Sequence, residues 1–107
     1  MSSFDDREKG FENKFKRDEE LRFKATARRN KLLGLWAAEQ MGIGGDDAEA
    51  YAKEVIKSDF ERPGDDDVLE KVHGDLQAKG LDTSEHIVRK RMDELMAEAV
   101  RQIEAGE

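Results

Sequence analysis

Beyond about Asp18 the apolar residues of this chain recur every three or four positions, the period of an α-helix, and glycines and aspartates cut the pattern into four segments. The first runs from about Asp18 to Met41, with Leu21, Ala25, Arg28, Leu32, Leu35, Trp36 and Glu39 following that spacing. Its end, KLLGLWAAEQM, is the richest apolar patch in the chain, and Gly42, Gly44 and Gly45 close it. Asp46 is placed to cap a second helix reaching about Phe60, with Ala48, Tyr51, Ala52, Val55, Ile56 and Phe60 on one face. After the loop ERPGDDD, the run Asp65, Asp66 and Asp67 offers caps and negative charge to a third helix carrying Val68, Leu69, Val72 and Leu76, which Gly80 closes. Asp82 with Glu85 three places on has the form of a capping box. It opens a fourth helix with Ile87, Val88, Met92, Leu95, Met96, Ala99, Val100 and Ile103 inside.

No stretch alternates with the period of a strand, and neither Val nor Ile occurs before Ile43, so the fold class is all-α. At 107 residues the chain can bury one modest core. Short connections between helices of similar length favour an antiparallel four-helix bundle over residues 18–107, preceded by a flexible N-terminal arm, residues 1–17. That arm contains SSFDDREKGFENKF, whose three rings stand in a polar setting. At about 100° per residue Phe4, Phe11 and Phe15 fall within about 40° of one another, so a continuous helix would gather them on one stripe. Gly10 interrupts that helix, and isolated helices of this length are marginal in water. The arm therefore reads as a segment that becomes helical when its rings dock in a partner's groove. The alternative is that the rings cover the open end of the bundle.

Charge sharpens the division. Charged residues make up 42% and the net charge is −7, but residues 1–31 sum to +3 and residues 32–107 to −10. An acidic body argues against a nucleic-acid partner, which requires a concentrated basic face. The absence of cysteine removes disulfides and thiolate metal sites. No apolar run approaches the roughly 18 residues of a spanning helix, so no membrane insertion is expected and the cytoplasm is the expected compartment.

Candidate chemistry is sparse. His73 and His86 stand on different helices without ligand spacing, and the three aspartates lack the spaced oxygens of a calcium loop, so no metal site is expected. GIGGDD, residues 42–47, lacks the lysine and hydroxyl of a phosphate-binding loop, and its aspartates would repel phosphate. The cluster ARRNKLLGLWAAEQMG sets Arg28, Arg29 and Lys31 beside Leu32 and Trp36. It is either a basic and aromatic surface for an anion or partner, or a core-facing Trp36 backed by solvated cations; a bundle this small favours placing its largest ring inside. No nucleophile, base and orienting group can be assembled, so the chain is not expected to be an enzyme.

FDDREKGFENKF, ARRNKLLGLWAAEQMG and DAEAYAKEVIKSDFERPGDDDVLEKV together resemble the zeta subunit family of the alpha-proteobacterial F-type ATP synthase, over nearly the whole chain. The resemblance implies a non-catalytic four-helix bundle with an inhibitory N-terminus that inserts as a helix among the alpha, beta and gamma subunits of the catalytic head and limits ATP hydrolysis. It assigns Phe4, Asp5, Asp6, Arg7, Glu8 and Phe11 to that contact, with Phe15 continuing the stripe. It places the protein peripheral to the inner membrane through the synthase. It also brings in adenine nucleotide, ATP or ADP, as a ligand of the free subunit, which the sequence would put near Arg28, Arg29 and Lys31 although no nucleotide motif is present. The alternative reading is a nucleotide-sensing or assembly-type accessory bundle that binds the synthase without strong inhibition.

Overall fold

A computed structural model describes residues 3–61 and 65–106, with side chains described for 19–60 and 65–106. Four helices follow in order, α1 (Ser3–Gln40), α2 (Gly45–Glu61), α3 (Asp66–Ala78) and α4 (Glu85–Glu104), and there is no strand among the described residues. The connections are short, so consecutive helices lie side by side in an up-and-down four-helix bundle. Each helix packs on its sequence neighbours and α1 on α4, and α1 also reaches α3 across the bundle, whereas among the described residues the backbones of α2 and α4 do not come close.

The glycine stops act through backbone geometry. After α1, Gly42 takes φ +75°, and the amides of Gly42 and Ile43 donate to the carbonyls of Glu39 and Ala38. After α3, Gly80 takes φ +81°, with the amides of Gly80 and Leu81 donating to Gln77 and Leu76. Both are paired Schellman bonds, which satisfy carbonyls that the ending helix leaves open.

The core joins Leu33, Ala37 and Ala38 of α1 to Tyr51 and Val55 of α2, Val68, Val72 and Leu76 of α3, and Val88, Met92 and Leu95 of α4. Burial of each larger aliphatic side chain stabilises the bundle by about 1.5–3 kcal/mol. Among the residues of α1 whose side chains are described, the buried positions are Ala25, Arg29, Asn30, Leu33, Gly34, Ala37 and Ala38, a broad stripe displaced from the expected one. Leu32, Leu35 and Trp36 are half-buried at its borders, and Glu39 is exposed. The reason is close approach. A Cβ built on Gly34 would lie 2.6 Å from Ala52 Cα, so α1 and α2 touch through backbone, and the small residues of α1 occupy the centre.

Other expectations shift at helix ends. The α1 helix begins at Ser3, N-terminal of the expected start near Asp18. Gly45 opens α2, which leaves Asp46 and Asp47 in the first turn, where their charge favours the positive helix end. Asp65 precedes α3 but makes no side-chain cap bond. The cap of α4 is Ser84, whose hydroxyl accepts from the Ile87 amide at 3.3 Å, in place of the expected Asp82 and Glu85 box. Phe60 and Ile87, expected inside, are 69% and 48% exposed, because they stand in the last and first turns of their helices, where fewer neighbours cover them.

Candidate interaction surfaces

The three cations grouped by the sequence separate in space. Arg29 is 2% exposed. Its Nη2 donates to Asp65 Oδ1 at 2.9 Å and its Nε to Asn30 Oδ1 at 2.9 Å, which ties the middle of α1 to the start of α3. The Arg29 hydrogen bond holds the Asp65 carboxyl below its usual range, against a smaller opposing effect of burial. Asp65 thus spends its charge on a buried guanidinium, which explains why it does not cap α3.

Arg28 and Lys31 turn to another face of α1. They line an open groove of about 530 Å³ together with Phe23 and Lys24 of the same helix, Ile56 of α2 and Ile103 of α4. Arg28 Nη1 donates to Gln102 Oε1 at 2.8 Å, and Gln102 Nε2 donates in turn to Glu98 Oε1 at 3.1 Å. Glu98 also accepts both ends of the Arg101 guanidinium. The bonds from Arg101, and next that from Gln102, pull its carboxyl down to about 2. Phe23 at the groove edge is 65% exposed, and Phe60 lies one helical turn beyond Ile56. Composition flagged the cations. It could not pair them with Ile56 and Ile103, which come from distant parts of the chain.

Trp36 is half-buried against the core, and the Arg91 guanidinium lies 5.9 Å from its ring centroid. The indole therefore packs against the core and also carries a cation over its ring. Sequence reasoning missed a polar cluster between α2 and α3. Tyr51 is 8% exposed, and its hydroxyl donates to Asp75 Oδ2 at 2.8 Å, which also accepts from Lys71 Nζ at 3.1 Å. Burial first, then the bond to Asp75, drives the Tyr51 phenol far above its usual value. His73 Nδ1 lies 3.8 Å from Glu85 Oε1, and His86 is exposed. Among the described residues no group of three or more His, Asp or Glu side chains is arranged to hold a metal ion. None of the described helices is long and apolar enough to cross a membrane.

Phe4, Asp5, Asp6, Arg7, Glu8, Phe11 and Phe15 lie outside the residues whose side chains are described, although α1 includes their backbone.

The bundle has relatives. The family described as ATPase inhibitor subunit zeta matches residues 1–102, essentially the whole chain and the N-terminal segment with it. The chain belongs to the ATPase inhibitor subunit zeta family. A solved structure determined by solution NMR is 50% identical, covers 81% of this chain and 99% of its own, and superposes with a TM-score of 0.72. No curated protein matches the chain. Membership in the zeta family makes the protein a regulatory subunit acting on an ATPase, in keeping with the four-helix architecture described above.

Proposed function

We propose that this chain inhibits the F-type ATP synthase by inserting its N-terminal helix at the interface of the alpha, beta and gamma subunits of the catalytic head, and so blocks rotation and ATP hydrolysis. The observation that carries the reading is the family match, which begins at residue 1 and therefore takes in the arm as well as the bundle. The sequence of that arm supports it, since Phe4, Phe11 and Phe15 share one helical stripe, flanked by Asp5, Asp6, Arg7 and Glu8. Rings on such a stripe anchor a helix in a groove, and charges beside them pair with polar walls. A wedge that binds one rotational state better than the others shifts the motor towards that state. The bundle then serves as a folded body that carries the arm and sits peripherally on the enzyme.

The test is ATP hydrolysis by the cognate head with added protein. The full chain is expected to inhibit. Deletion of residues 1–16, or replacement of Phe4, Phe11 and Phe15 by serine in the full chain, is expected to abolish inhibition while helical circular dichroism of the bundle persists. Inhibition of comparable potency by either variant would remove the arm from the mechanism.

A further inference from the structure

We infer that the groove between α1, α2 and α4 is a second docking site, which takes an acidic amphipathic helix on the surface of the ATP synthase; the inference rests on the proposed inhibitory function. The groove combines an apolar lining with a cationic one. Its apolar parts are Phe23, Ile56 and Ile103, and Phe23 is 65% exposed. Its polar parts are Lys24, Arg28 and Lys31, and among the described residues that line it none is acidic. Residues 32–107 sum to −10, so this is a cationic lining set against an acidic body.

Charge complementarity selects the occupant. A helix with Asp or Glu along the edges of an apolar stripe would set its aliphatic residues on Ile56, Ile103 and the Phe23 ring, and its carboxylates against Lys24 and Lys31. On α1, Lys24, Arg28 and Lys31 follow at four- and three-residue spacing, which forms a single cationic edge along one wall. The bond from Arg28 to Gln102 fixes that guanidinium across the α1 and α4 junction, so part of the wall is ordered before binding. The chain's own N-terminal arm is a poor occupant, since residues 1–17 hold five Lys/Arg against four Asp/Glu and so bring no net negative charge, and they continue into the same helix that forms the groove wall. A flat anionic membrane is disfavoured by the concavity of the site and by the acidic body around it.

Phe60 does not line the groove, but it follows Ile56 by one turn of α2 and is 69% exposed, so a second apolar ring stands near it on the same helix. Two contacts of different kind would then join the inhibitor to the head. One is the arm, and the other is the groove, whose binding raises the local concentration of the arm.

The experiment uses the full chain and the purified cognate head, with Lys24→Glu/Lys31→Glu and Phe23→Ser as groove variants at exposed positions. Each is expected to retain the wild-type circular dichroism spectrum and to raise the half-inhibitory concentration at least about tenfold, about 1.4 kcal/mol of binding. Potency of the wild type is expected to fall with salt more steeply than that of the charge-reversed variant. Co-sedimentation separates the two contacts: the chain with Phe4, Phe11 and Phe15 replaced by serine still binds the head without inhibiting it, and adding Lys24→Glu/Lys31→Glu removes that binding. Failure of the wild type to inhibit, with this residual binding intact, would overturn the inhibitory function and leave the groove standing. Unchanged potency and co-sedimentation in both groove variants overturn the groove. So does finding that Lys24→Glu/Lys31→Glu instead abolishes binding to phosphatidylglycerol vesicles, binding of ATP by calorimetry, or self-association by sedimentation equilibrium, with head binding unaffected.

Discussion

Replacing Gly34 with alanine adds one methyl group at the point where α1 and α2 are closest. The new Cβ would stand 2.6 Å from Ala52 Cα, 3.1 Å from Ala52 Cβ and 3.3 Å from Val55 Cγ2. The nearest atom belongs to backbone, so no rotamer change relieves the contact and the two helices must separate. Overpacking of this kind costs about 1–3 kcal/mol, and the backbone clash puts Gly34 at the upper end. Alanine returns about 1 kcal/mol through its higher helix propensity. The expected net change is a loss of about 2 kcal/mol, or about 8–16 °C in melting temperature for a domain of this size. Gly74 provides the control, because it lies in α3 with nothing within 4 Å of a built Cβ. There the same substitution gains about 0.4–1 kcal/mol. Urea unfolding of Gly34→Ala and Gly74→Ala should therefore move the midpoint in opposite directions with similar slopes. A Gly34→Ala protein as stable as the wild type would refute the close-approach account of the α1 and α2 contact.

Asp65 tests the buried guanidinium. Its carboxyl is lowered by Arg29, so the stability it contributes is present above the unfolded value of about 3.9 and is lost as pH falls through the lower folded value. Asp65→Asn is expected to destabilise by about 1–2 kcal/mol near neutral pH, below the cost for a fully buried pair because Asp65 is half exposed, and the difference from wild type should shrink in acid unfolding series. Tyr51 is the one tyrosine in the chain, so tyrosinate absorbance reports it alone. With its phenol pushed far above the usual value, absorbance should rise only together with alkaline unfolding seen by circular dichroism, and a separate earlier rise would contradict its burial against Asp75.

The helical period, the glycine stops and the acidic first turns are local properties, and the sequence alone placed all four helices and two of the paired-bond closures, at Gly42 and Gly80. Spacing along one helix also predicts the ring stripe of Phe4, Phe11 and Phe15, whose side chains lie outside those described, but it started the first helix near Asp18 where α1 begins at Ser3. Local pattern failed where residues compete for partners. Asp65 has the chemistry of a cap, but Arg29, 36 residues earlier, takes its carboxylate. Asp82 and Glu85 fit a capping box, yet Ser84 stands at the N-cap of α4.

What the sequence determined by itself was the all-α class, the order of the helices and the contrast between a basic N-terminal part and an acidic body. Each follows from residue type and spacing within a few turns. Only the tertiary structure decided which face of α1 is central. Large side chains dominate a hydrophobic pattern and drew attention to Leu32, Leu35 and Trp36, but helices meet most closely where side chains are smallest, at Gly34, Ala37 and Ala38. The same packing turned Arg29 inward to Asp65 and left Arg28 and Lys31 beside Ile56 and Ile103. A groove of that kind belongs to no segment of the chain, since its walls exist only after α1, α2 and α4 have packed.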